Sequence, residues 1–131
     1  LALIRASRLT LKGFENTLYQ RYEESDICIT RAGALTIEDI ICSACPAILV
    51  PYPSSADNHQ YENAHNLTKQ DAAIIVEQTE VGWENKLIVT LTKLLTDDLT
   101  RVEMKEQLKA LRLKHQNNTV LQTTITALAK K

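Results

Sequence analysis

Short continuous apolar runs alternate with segments of helical period along this chain. Ile27, Cys28 and Ile29 follow one another within Asp26 to Thr30, which reads as a buried strand. The period then changes. Ile37, Ile40, Ile41 and Ala44 fall at i, i+3, i+4 and i+7, the signature of a helix from Leu35 to Ala44 with one apolar face. Pro46 ends that helix, and Ala47 to Val50 gives a second buried strand. The loop from Pro51 to Ser55 is rigid, and Asn58 stands where it can cap a helix from His59 to about Lys69. Ala72 to Val76 is a third apolar run. Upstream, Leu1 to Leu11 mixes apolar and basic residues and ends in a short strand. Gly13 to Asn16 is a loop, and Asn16 or Thr17 caps a helix to about Glu24.

Strand, helix, strand, helix, strand with short links predicts an α/β fold built on parallel βαβ units. Right-handed crossovers put both helix N-termini at the carboxyl edge of one sheet, where ligands of open α/β sheets bind. The last third, from residue 83 to 131, changes character. Trp83, Leu87, Leu91, Leu94 and Leu95 mark one helix. Thr96 caps a second through Leu99, Met104, Leu108 and Leu111, and Asn118 caps a third through Leu121, Ile125 and Leu128. These are packing helices with solvated charged faces. The expected division is therefore one domain, with βα units over 1–82 and a helical extension over 83–131.

Composition narrows the class. The 131 residues are 44% hydrophobic and 24% charged, enough for one domain with a core. Fifteen basic and 16 acidic residues leave a net charge of -1, which gives no electrostatic case for nucleic acid. No apolar run has the length of a membrane span, and no signal peptide is visible. The first residue is Leu1, as in a piece of a longer protein. Three cysteines, Cys28, Cys42 and Cys45, fit a reducing compartment better than a disulfide scaffold. Cys42 and Cys45 have C-x-x-C spacing, but a zinc site needs a second pair, and the spacing falls at a helix end rather than its start. They read as small buried hydrophobes.

The chemistry concentrates at two helix starts. At 100° per residue, Thr36 and Asp39 share one open sector of the first helix, while Ile37, Ile40, Ile41 and Ala44 occupy the other side. Glu38 points out of that sector. Gly33 and Ala34 keep the turn small, so a phosphate can approach free N–H groups. The second helix repeats the arrangement with His59, Gln60 and Asn63, amide and imidazole groups suited to a hydroxyl-rich ligand and not to a metal. For each sector taken alone, a good helix start or a solvated face explains the same residues. Taken together, they follow consecutive parallel strands and face one crevice, which reads as a nucleotide or nucleotide-sugar site. A G-x-G-x-x-G is absent, which disfavours a dinucleotide oxidoreductase.

The stretches "SDICITRAGALTIEDI" and "CPAILVPYPSSADNHQYENA" resemble the C-terminal domain of the bacterial N-acetylglucosaminyltransferases that convert lipid I to lipid II in peptidoglycan synthesis. The resemblance is clear from about Phe14 to Val76. It implies the Rossmann-like C-terminal half of a two-domain GT-B glycosyltransferase, inverting and without a metal or other cofactor. By resemblance, Glu15 meets the uracil edge through its backbone. Ala34, Leu35 and Thr36 hold the diphosphate of UDP-N-acetylglucosamine, at the helix start that Gly33 opens. Asp39 stands where the family usually has Glu on the ribose hydroxyls, and it is one methylene shorter. His59, Gln60 and Asn63 match positions that meet the sugar and phosphates. The family's N-terminal domain, which binds lipid I, touches the inner membrane and carries the proposed catalytic base, has no counterpart in these residues. The chain is thus expected to be a donor-binding fragment, inactive alone, of a cytoplasmic enzyme peripheral to the inner membrane. Alternatives are the small donor-binding subunit of a two-component lipid-linked chitobiose transferase, a fragment of a UDP-sugar 2-epimerase, and a non-catalytic binding or interaction fragment that self-associates along an open sheet edge.

Overall fold

A computed structural model describes residues 9–54 and 56–129. Among the described residues, helix α1 (Leu18–Glu24) leads to strand β1 (Cys28–Thr30), helix α2 (Ala34–Ser43) and strand β2 (Ala47–Leu49). A short 3₁₀ turn, Ala56–Asn58, precedes α3 (His59–Thr68), strand β3 (Ile74–Ile75), α4 (Trp83–Thr96) and α5 (Asp98–Ala129). The predicted start near Leu1 lies largely outside the described residues, and residues 9–11 form no strand.

The sheet is parallel with order β1-β2-β3, and each crossover runs through one helix. Cys28 pairs with Ala47, Ile29 with Ile48 and Thr30 with Leu49; Ile48 then pairs with Ile74 and Leu49 with Ile75. Alternate residues of the middle strand feed two cores. Ala47 and Leu49 join Ile40, Ile41, Ala44, Ala64, Leu67, Leu108 and Leu111 on the face of α2 and α3. Ile48 joins Val50, Val76, Leu94 and Met104 on the face of α4. A continuous apolar run is what a strand needs when helices cover both its sides.

The expectation of a buried first strand needs correction. Ile29 is 45% exposed and belongs to neither core, although its partner Ile48 is fully buried. β1 lies at an edge of the described sheet; Cys28 packs against one core and the preceding Ile27 against the other, while Ile29 is left open.

The tail also differs from expectation. α5 is one helix of 32 residues, so Asn118 lies inside it. Asn costs some helix propensity but does not break a helix, and neither Gly nor Pro occurs after Gly82. The cap is Asp97 rather than Thr96. Its carboxylate accepts from the Thr100 amide at 3.0 Å and from the Thr100 hydroxyl at 2.7 Å. Those bonds hold Asp97 below the usual carboxylate range. α5 reaches both cores, through Met104 on one side and Leu108 and Leu111 on the other. Among the described residues, no helix is long and apolar enough to cross a membrane.

Candidate functional site

The carboxyl ends of β1 and β2 open into two helix starts. After Thr30 the chain runs through Arg31, Ala32 and Gly33 into α2; after Leu49 it runs through Val50, Pro51 and Tyr52 toward α3. Gly33 is the N-cap of α2 with ordinary extended angles, φ -65 and ψ 153. A Cβ there would find only the Gln60 amide nitrogen, at 4.0 Å. Neither backbone conformation nor packing demands a glycine at this position. With no side chain, Gly33 cannot claim the N–H groups of the first turn, which keep their preference for an anion.

The α3 start is built differently. Asp57 and Asn58 both adopt left-handed angles, with φ of 48 and 58, a conformation that Asp and Asn tolerate better than most residues. Asn58 occupies the N-cap but makes no side-chain capping bond, contrary to the role its identity suggests.

The two starts are tied together through Ala32. Gln60 Oε1 accepts from the Ala32 amide at 3.3 Å and from the Tyr52 amide at 2.8 Å. Asn63 Nδ2 donates to the Ala32 carbonyl at 3.0 Å. Two side chains of one helical face thus hold one residue of the opposite turn by both its backbone groups. The predicted polar sector of α3 faces the turn before α2, and the amide groups of Gln60 and Asn63 engage protein backbone there. His59 stands exposed at the first position of the helix.

On α2, the helical-wheel separation of the two acids appears as a difference in surroundings. Asp39 is half-buried, as is Thr36. Burial pushes the Tyr22 phenol of α1 up, and the Asp39 carboxylate adds to that shift. Glu38 is exposed and lies 3.9 Å from His115 Nδ1 of α5. Leu35 is 83% exposed at the rim, and Ala34 is exposed beside it.

Glu15 precedes α1, and its side chain is committed to its own loop. It accepts from Lys12 Nζ at 2.6 Å, from the Thr17 hydroxyl at 2.6 Å and amide at 3.2 Å, and from Arg21 Nε at 3.1 Å. These bonds, that from Lys12 foremost, hold the carboxyl well below the usual range. A backbone role for this residue is compatible with that geometry, because the carboxylate is occupied elsewhere.

Sequence spacing missed two features. Arg31 donates to the Val50 carbonyl at 3.2 Å and to Gln78 Oε1 at 2.8 Å, and its guanidinium lies 5.6 Å from the centre of the Tyr52 ring. Its position before the Gly33 turn was the only available signal. Of the two C-x-x-C cysteines expected to be buried, Cys45 is, but Cys42 stands exposed on the last turn of α2. Cys45 Sγ donates to the Ser25 carbonyl at 3.7 Å, and the half-buried Cys28 thiol is pushed up by its interaction with Cys45 and by burial.

Comparison with known proteins agrees with this fold. The family model described as "Glycosyltransferase family 28 C-terminal domain" matches residues 6–120. A Bacillus subtilis protein is 36% identical over 106 residues, covering 81% of this chain and 29% of that protein. It is named UDP-N-acetylglucosamine--N-acetylmuramyl-(pentapeptide) pyrophosphoryl-undecaprenol N-acetylglucosamine transferase. A Francisella philomiragia protein of the same name is 34% identical over 111 residues, covering 84% of this chain and 29% of that protein. The crystal structure of Acinetobacter baumannii MurG superposes with a TM-score of 0.65 at 31% identity, covering 77% of this chain and 30% of that one. The chain therefore spans about three tenths of the length of these relatives.

Proposed function

The chain belongs to the glycosyltransferase family 28 C-terminal domain family, and from that premise we propose that it is the donor-binding part of an N-acetylglucosaminyltransferase that forms lipid II from lipid I. The donor is UDP-N-acetylglucosamine. The observation that carries the reading is the pair of helix starts, Gly33 to Thr36 and His59 to Asn63, at the carboxyl ends of adjacent parallel strands and tied through Ala32. The names of the relatives supply the substrate class.

In this reading the diphosphate lies at the start of α2, against N–H groups from Gly33 to Thr36. Asp39 takes the ribose hydroxyls, and the Glu15 backbone takes the uracil edge. The exposed His59 and the α3 start border the sugar. The acceptor hydroxyl of lipid I attacks the anomeric carbon, the bond to the β-phosphate oxygen breaks, and UDP leaves with inversion. Negative charge growing on the leaving diphosphate is met by the α2 N-terminus, which is fixed before the reaction starts. Lipid I, the catalytic base and contact with the inner membrane's cytoplasmic face belong to the remainder of a full-length enzyme. The fragment alone binds donor without turning it over.

The shortened carboxylate gives a direct test. Asp39→Glu is expected to tighten UDP binding several-fold, and Asp39→Ala to weaken it by roughly three- to tenfold, as for loss of a charge-assisted hydrogen bond at a partly solvated site. Isothermal titration of the three proteins with UDP reads this. Indifference of UDP to both substitutions would remove Asp39 from the ribose site.

A further inference from the structure

Arg31 reaches from the end of β1 to the segments following both other strands. Its Nη1 donates to the carbonyls of Val50 at 3.2 Å and Pro51 at 3.5 Å, both just past β2. The same nitrogen donates to Gln78 Oε1 at 2.8 Å, just past β3. Its guanidinium carbon lies 5.6 Å from the Tyr52 ring centroid, within cation–π range. The next residue, Ala32, is held by Gln60 and Asn63 of α3, and Gln60 also accepts from the Tyr52 amide. A closed circuit results. It runs from Arg31 to the loop from Val50 to Tyr52, from the Tyr52 amide to Gln60, and from Gln60 back to Ala32, the neighbour of Arg31.

That circuit fixes the spacing between the α2 and α3 starts. Gln60 and Asn63 position the turn before α2 relative to α3. Arg31 holds the Pro51–Tyr52 rim and the segment after β3 to the same turn. The three acceptors share one guanidinium nitrogen, Nη1, while the flat, delocalised group lies by the Tyr52 ring, and a compact lysine ammonium does not reproduce that combination of reach and planar face. We infer that Arg31 is a positioning residue that sets the separation of the two helix starts and thereby the preference of the site for a nucleotide diphosphate carrying a sugar over the bare nucleotide. This rests on the donor-site reading above. Its content is that the diphosphate is held by α2 alone, whereas the sugar requires α2 and α3 at a fixed distance.

The test uses the whole 131-residue chain and its Arg31→Met and Arg31→Lys variants, each titrated with UDP and with UDP-N-acetylglucosamine. Arg31→Met keeps the aliphatic stem and removes the guanidinium. It is expected to weaken UDP-N-acetylglucosamine by about tenfold while UDP changes by less than about threefold, because a loosened second rim costs only the group that needs it. Arg31→Lys is expected to fall between Arg31→Met and the parent. A purely structural role would lower the melting temperature and leave the ratio of the two dissociation constants unchanged, and that result would overturn the inference. Should Arg31→Met fail to fold, Gln78→Ala removes one acceptor of the guanidinium at an exposed contact. It is expected to move the ratio in the same direction by a smaller factor, and no movement would overturn the inference. A parent chain that binds UDP but shows no difference between the parent and variant ratios defeats the role of Arg31 alone. A parent chain that binds neither ligand defeats the donor-site reading and the inference with it.

Discussion

Replacing Leu108 by alanine is expected to cost about 2–5 kcal/mol of stability, the range for emptying a fully buried leucine site. Leu108 is 0% exposed and lies in the core formed by α2, α3 and the sheet. It is one of three buried side chains through which the 32-residue α5 is attached, with Met104 and Leu111 on either side along the helix. Near Leu108, α5 also contributes Arg112, which donates to the Cys42 carbonyl at 2.8 Å at the end of α2. A cavity at Leu108 therefore loosens α2 from its far end, away from the Gly33 turn. Against a total stability of about 5–15 kcal/mol, such a loss is a large share. Thermal or urea unfolding of the chain checks it. Leu113→Ala, on the same helix but 58% exposed, is the contrast and is expected to change stability by no more than about 0.5 kcal/mol.

Gly33→Ala is expected to do the opposite: leave the fold and remove the ligand. The φ of -65 at Gly33 suits alanine, and the nearest atom to the added methyl is the Gln60 amide nitrogen at 4.0 Å. A poorer N-cap and a less flexible unfolded chain offset each other, so stability should change by less than about 1 kcal/mol. A diphosphate lying on the first turn of α2 must approach the backbone where that methyl would stand. Affinity for UDP should fall by about tenfold or more, equivalent to roughly 1.4 kcal/mol. Unfolding curves paired with UDP titration separate the two effects. Full UDP affinity in a stable Gly33→Ala protein would mean that the diphosphate does not touch this turn.

Much of the fold is legible in the sequence because its period changes with its structure. The runs around Ile29, Ile48 and Ile75 are short and continuous, and the segment between the first two carries Ile37, Ile40 and Ile41 at helical spacing. What period cannot show is which strand lies at an edge. Ile29 looks as buried as Ile48 until the order of strands is known. Nor can residue type alone decide whether a polar side chain starts a helix or rides inside one. Asn118 and Thr96 are good caps by identity, yet Asp97 caps α5 and Asn118 is interior.

The candidate site shows the same division between local and long-range information. The polar sectors of α2 and α3 follow from 100° per residue, and so does the separation of Asp39 from Glu38, which lies near His115 of α5. The bonds from Gln60 and Asn63 to Ala32 do not follow, because they span 28 and 31 residues. Arg31 reaches still further, to Gln78 over 47 residues. Spacing arguments see neighbours along a helix, and these partners meet only when parallel strands bring their carboxyl ends together.

The most direct measurement of the central claim is a titration of the isotopically labelled chain with UDP, followed by amide chemical shifts. If the start of α2 holds the diphosphate, the amides of Ala34, Leu35, Thr36 and Asp39 move in a saturable way, while those of the exposed end of α5, around Thr123, stay still. No shift from Ala34 to Asp39 at millimolar UDP would contradict the account.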